Sequence, residues 1–278
     1  MGMRVSTNIA AINAQRNLIG SQTNIQDSLA KLASGSRINK AADDAAGLAI
    51  SENLKAQIRS ARQANRNAND GISMVQTAEG GLNEIGNIIV RMRELGIQAS
   101  SDTIGDTERG FIDKEIQQTK SELQRIASVT TWGTTKLLDG STPVFDFQVG
   151  IYNNAEEDRI SFDSSVNVAT LDALGLAGLD YTTKEGAQEA LMSLDSAQTN
   201  VNGMRANLGA LQNRLTSTTN NLLIAEENMS ASNSRIRDTD VAAASAELTR
   251  NNILLQASTA ALAQANTTNQ VALSLIRG

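Results

Sequence analysis

Apolar residues recur every seven positions along most of this chain. The longest series is Ala187, Leu194, Val201, Leu208, Leu215, Leu222, Met229 and Ile236. A sustained repeat of this length keeps one seam of a helix against a partner helix, and it predicts a coiled-coil helix over residues 184–236. A second series runs Val241, Leu248, Leu255, Leu262, Asn269 and Ile276, with Leu273 beside it. Three residues after each of its first five members stand Ala244, Asn251, Ser258, Ala265 and Ala272. Large aliphatics alternating with small residues predict a slim final helix packed closely along another. The first series would continue at Ala243, so the register breaks at Arg237-Asp238-Thr239-Asp240.

The other end of the chain has the same character. Val5, Ile9, Ile12, Ile19, Ile25, Leu29 and Leu32 give residues 4–33 an apolar face. The seven-step series Val5, Ile12, Ile19 gives way to Leu18, Ile25, Leu32, so the seam drifts around the helix. Ser34 to Asp44 interrupt the periodicity, and Asp43-Asp44 stand where acidic residues favour the start of a helix. Residues 45–99 resume in sevens with Leu54, Ala61, Ala68, Val75, Leu82 and Ile89. Gly71, Gly80, Gly81 and Gly86 each cost that helix about 1 kcal/mol against alanine unless neighbours hold it. After a turn at 100–106, residues 107–129 form a third helix, with Ile112, Ile116, Thr119, Leu123 and Ile126 on one side.

The period changes to two in the middle of the chain. Val144-Phe145-Asp146-Phe147-Gln148-Val149 and Arg159-Ile160-Ser161-Phe162-Asp163 read as strands, with a hairpin loop over 153–158. Residues 130–140 are turn-rich, and 164–183 are irregular. The layout is therefore nearly palindromic. The fold class it predicts is mainly α, a long coiled-coil bundle built from both chain ends, with a small β-hairpin region in the middle. The expected domains are a terminal helix pair (1–40 and 240–278) and a long-helix bundle (41–239) with its β region at about 140–165. No stretch is long enough for a further large domain.

Composition narrows the function. The 278 residues include no Cys and no His, one Pro, one Trp and 3% aromatics. Without His or Cys, Ser-His-Asp, Cys-His and His-ligated zinc chemistry are absent. No phosphate-cradling Gly-Lys-Ser/Thr loop occurs, and no catalytic residue, cofactor or metal is expected. The net charge of −6 offers no basic patch for nucleic acid. No apolar run approaches a membrane span, and the first residues lack the apolar core of a secretory signal. Paired acids such as Glu226-Glu227 read as a solvated helix face. The terminal helices carry too little apolar area to stand alone, which calls for a partner.

Two stretches resemble bacterial flagellin. One is SLAKLASGSRINKAADDAAGLAISENLKAQIRSARQANRNANDGISMVQTAEGGL, from Ser28 to Leu82, preceded by Ala11-Ile12-Asn13-Ala14-Gln15-Arg16. The other is ENMSASNSRIRDTDVAAASAELTRNNILLQASTAALAQAN, ending at Asn266. Gly81 stands where the family commonly has Ala, and Ala242–Ala244 where an acid is frequent. The resemblance implies a self-assembling subunit of the extracellular flagellar filament, exported by the flagellum's own apparatus without a cleaved signal. Its terminal helices would form the inner filament layer. Export chaperone, cap and hook-junction proteins are the implied further partners. A minor hook–filament junction protein is the alternative. The resemblance also implies that Arg91, Leu95 and Glu115 lie at a subunit contact that a host Toll-like receptor recognises.

Overall fold

A computed structural model describes residues 7–141 and 144–277, the last ten of them without side chains. Val5, and the side chains of Leu273 and Ile276, lie outside the described residues. The chain divides into two compact units. One combines residues 1–57 with 228–278, and the other comprises residues 58–227.

Among the described residues five helices carry the fold: α1 (Ile9–Ser34), α2 (Ala45–Ala99), α3 (Asp106–Val129), α4 (Lys184–Arg237) and α5 (Val241–Arg277). Their ends follow from local chemistry. Asn8 caps α1 by accepting from the Ala11 N–H at 3.0 Å. Gly35 closes α1 at φ +67°, a left-handed conformation that glycine adopts without steric cost. Asp44 accepts from the Gly47 N–H at 2.8 Å at the head of α2. Asp240 does the same for Ala242 and Ala243 at the head of α5. The linkers at 34–44 and 237–240 thus each end in an aspartate that starts the next helix.

In the second unit, α2, α3 and α4 enclose one apolar core. From α2 come Val75, Leu82, Ile89 and Met92; from α3, Ile116 and Leu123; from α4, Leu194, Val201, Leu208 and Leu215. The α4 series is fully covered through Leu215 and half-buried at Leu222, Met229 and Ile236. Two antiparallel hairpins lie in this unit. The pair β3 (Val144–Gln148) and β4 (Arg159–Asp163) runs in register from Val144↔Asp163 to Gln148↔Arg159, as the alternation predicts. The pair β1 (Thr131–Trp132) and β2 (Thr135–Lys136) falls where the sequence reads only as turns.

Two helical glycines are explained by close approach. A Cβ at Gly71 would lie 3.2 Å from the Phe147 ring of β3, and Asn67 donates to the Gln148 carbonyl at 3.0 Å. At Gly81 a Cβ would lie 2.7 Å from Thr130 Oγ1 and 2.8 Å from Leu138. The hairpin and the 130–138 segment are seated against bare helix backbone. Gly80 has open space beside it and no such reason.

Candidate assembly surfaces

The terminal unit is built on α1 and α5, whose Cα atoms come repeatedly within 8 Å. On α1 the covered positions are Ala11, Ala14, Leu18, Ser21, Ile25, Ser28 and Leu32. On α5 they are Ala244, Leu248, Asn251, Leu255, Ser258, Leu262 and Ala265. Each helix offers one large aliphatic and one small residue per heptad. The small ones let the backbones approach, so this seam is narrow.

Hydrogen bonds at both ends of the pair set its direction and register. Asn8 Nδ2 donates to the Ala265 carbonyl at 2.9 Å. The Thr239 N–H donates to the Gly35 carbonyl at 2.9 Å. The helices therefore run antiparallel, with Leu18 level with Leu255 and Ile25 level with Leu248. Between them the two linkers are stitched together. Ser36 and Asp238 form an antiparallel bridge, and Arg37 N–H donates to the Arg237 carbonyl at 2.6 Å. The Arg37 guanidinium reaches the Ile236 carbonyl at 2.7 Å, and Arg237 pairs with Glu52. Beneath, Ile38 is buried, and the N–H groups of Lys40 and then Asn39 hold the Asp43 carboxyl below its usual range.

The single apolar face expected on α1 is in fact two stripes. Leu18, Ile25 and Leu32 face α5. Ile9, Ile12, Ile19 and Leu29 point away and are about half exposed, Ile9 at 58% and Ile19 at 55%. The outer side of α5 shows Ile253 and Leu254 in the same way, and Val241, in line with Leu248, is exposed at the helix start. Pairing the chain ends leaves apolar surface on both helices.

The second unit carries the other predicted surface. Arg91 donates to Glu115 at 2.8 and 3.2 Å and to Glu94 at 3.1 Å, tying α2 to α3. Glu115 first, then Glu94, holds the guanidinium proton more firmly than usual. All three side chains are about half exposed, with Val90, Ile97 and Phe111 among the exposed apolar residues of the same helices. Leu95 is 3% exposed and belongs to the core under this surface, so it supports the surface without forming part of it.

Two buried cations had no signal in the sequence pattern. Arg109, 7% exposed, donates to the carbonyls of Ala99 and Ser101 and pairs with Asp106, closing the α2–α3 turn. Lys120 donates to the carbonyls of Ala177 and Leu179, and burial pushes its ammonium pKa down. Both stand among charged residues that read as an ordinary solvated helix face. Among the described residues no helix is long and apolar enough to cross a membrane.

These features define a class: an α-helical structural subunit whose chain ends pair and still present apolar stripes outward. The comparisons carry this further. Residues 5–142 match the bacterial flagellin N-terminal helical region, and residues 191–276 match the bacterial flagellin C-terminal helical region. A flagellin of Halalkalibacterium halodurans is 44% identical over 275 residues, covering 99% of this chain and 100% of that protein. The flagellar filament core protein flaB2 of Brachyspira hyodysenteriae is 42% identical over 288 residues with the same coverage. The crystal structure of Bacillus cereus flagellin matches at TM-score 0.50 and 28% identity, over 56% of this chain and 88% of that one. The chain belongs to the bacterial flagellin family.

Proposed function

We propose that this chain polymerises into the extracellular filament of the bacterial flagellum, and that its terminal helices order fully only as it does so. The observation that carries the proposal is the outward stripe Ile9, Ile12, Ile19 and Leu29 on a helix whose other face is already occupied. Covering the exposed half of each such residue contributes about 1 kcal/mol. One subunit gains little, but every neighbour repeats the contact. A contact between unlike faces whose rotation does not close into a ring propagates into a helix of subunits.

In this reading residues 1–40 and 240–278 form the inner layer of the filament, and 41–239 surround it. By spacing in the sequence Val5 belongs with Ile12 and Ile19, and Ile276 with Leu255 and Leu262, with Leu273 beside it. The paired ends in isolation bury a seam interrupted by Ser21, Ser28 and Asn251, which is too weak to offset the ordering of two long helices. The chain leaves the cell by the flagellar export route without a cleaved signal, with an export chaperone, cap and hook-junction proteins as transient partners. Its role is structural rather than catalytic. The hook–filament junction reading is weaker, because the whole-length relatives are named flagellin and flagellar filament core protein. Arg91 and Glu115 form the exposed surface that a host Toll-like receptor would meet, and Arg91→Ala should lower signalling in a receptor reporter assay.

Amide exchange tests the central claim. On the free chain, Leu255 and Leu262 should exchange near the unfolded rate while Ile89 and Leu208 are protected. In filaments all four should be protected. Strong protection of Leu255 and Leu262 before assembly would sink it.

A further inference from the structure

The geometry points to the linker bridge as the stop that sets the register of the terminal helix pair, because the seam itself tolerates a slip of one heptad. Both helices repeat in sevens. In the observed register Leu18 is level with Leu255 and Ile25 with Leu248. Sliding α5 by seven residues brings Leu18 level with Leu262, Ile25 with Leu255 and Leu32 with Leu248. Leu18, Ile25 and Leu32 again meet large residues, and Leu262, level with Ala11 in the observed register, meets Leu18.

The polar layers do not oppose this slip. Coiled coils often fix register with a buried Asn that is satisfied in one alignment alone. Here Asn251 is 5% exposed, and among the described residues its side-chain nitrogen has no hydrogen-bond partner in the observed alignment. The slip would bring Asn251 level with Ser28, which is 5% exposed, and Ser258 level with Ser21. A slipped seam would match its polar residues at least as well as the observed one.

The slip also parts Asn8 from the Ala265 carbonyl, but the Ala272 carbonyl, seven residues further along α5, comes level with Asn8 in its place; what the slip destroys without replacement is the bridge. Seven residues of helix are about 10 Å of travel, and no bond between the linkers survives that displacement. The bonds at stake are Thr239 N–H to Gly35, Arg37 N–H to Arg237, the Arg37 guanidinium to Ile236, and Arg237 with Glu52. Gly35 ends α1 immediately before the bridge, so slack cannot be taken up by extending the helix. Arg37 and Arg237 are therefore positioning residues for a seam they do not touch.

The absence of cysteine makes the test direct. Two double variants of the full chain, Leu18→Cys/Leu255→Cys and Leu18→Cys/Leu262→Cys, report the observed and the slipped register by disulfide closure within one chain. Each is assembled on seeds, oxidised, and separated by mass from cross-links between chains. With the bridge intact, only the 18/255 pair should close. Adding Arg37→Pro with Thr239→Pro removes both backbone donors and one guanidinium, and Arg37→Ala with Arg237→Ala is the milder form. In these backgrounds closure of 18/262 relative to 18/255 should rise about tenfold, as expected for losing one net hydrogen bond. A bridge variant that does not polymerise is oxidised as free chain in trimethylamine oxide, which favours ordered states, beside its intact-bridge control. Closure confined to 18/255 in every background would overturn the inference. Failure of the unaltered chain to polymerise would count against the filament reading and leave the free-chain comparison to decide this one.

Discussion

The side-chain amide of Asn8 donates to the carbonyl of Ala265 at 2.9 Å, across 257 residues of sequence. The same side chain caps α1 through the Ala11 N–H. One residue therefore starts the first helix and holds the last, and the first unit cannot form from either end alone.

Removing residues 260–278 takes away both Ala265 and Leu262. Residues 58–227 keep every contact of their own core. The truncated chain should remain soluble, with cooperative urea unfolding followed by circular dichroism. It should not extend filament seeds by electron microscopy. Normal filaments from it would refute the role given to α5.

Arg109 is a sharper probe of the second unit. Replacing it with Met keeps most of its volume but leaves the Ala99 carbonyl without the guanidinium and the Ser101 carbonyl with only the Ile104 N–H at 3.4 Å. A buried acceptor left unmatched costs about 1–3 kcal/mol, so a loss of that order is expected. The urea midpoint should move accordingly with an unchanged slope. Arg91→Met, at the half-exposed ion pair, should cost less than about 1 kcal/mol.

Two glycine-to-alanine changes should have opposite signs. Gly203 lies inside α4 with nothing within 4 Å of a new Cβ, so Gly203→Ala should stabilise by up to about 1 kcal/mol. Gly81→Ala gains the same helix propensity but drives a Cβ against Thr130 Oγ1 and fully buried Leu138. It should destabilise, as measured by thermal midpoint. An equal gain at both sites would show that the 130–138 segment yields freely.

Acid should weaken the second unit through specific carboxylates. The Ser165 hydroxyl and N–H hold the Asp163 carboxyl below its ordinary value, and the Thr182 N–H and hydroxyl do so for Asp180. A lowered folded pKa means stability that is present above the unfolded pKa, about 3.9, and lost as pH falls through the folded value. The urea midpoint should change little between neutrality and about pH 5 from these groups and drop below about pH 4. The double variant Asp163→Asn/Asp180→Asn should show a shallower drop. An unchanged acid profile would place the effect on other groups.

The seven-residue series and the linker aspartates were enough to locate the long helices. Helix formation, capping and seam position depend on residues within a few turns of each other, and the pattern displays all three. The β3–β4 hairpin was legible for the same reason, since alternation is a local property. The short β1–β2 hairpin was not, because Thr131-Trp132 and Thr135-Lys136 are too brief to show a period. Arg109 and Lys120 were missed because burial of a cation depends on carbonyls that only folding brings to it.

Sequence alone determined that both ends of this chain are slim, seven-periodic helices in need of a partner. Which apolar stripe of α1 turns inward was a matter for tertiary structure: Ile12-Ile19 and Leu18-Ile25 are equally apolar when read along the chain. The choice falls on Leu18, Ile25 and Leu32 because Ser21 and Ser28 between them are small enough to admit α5 closely. The bulkier stripe is left facing out, on the side open to a neighbouring subunit.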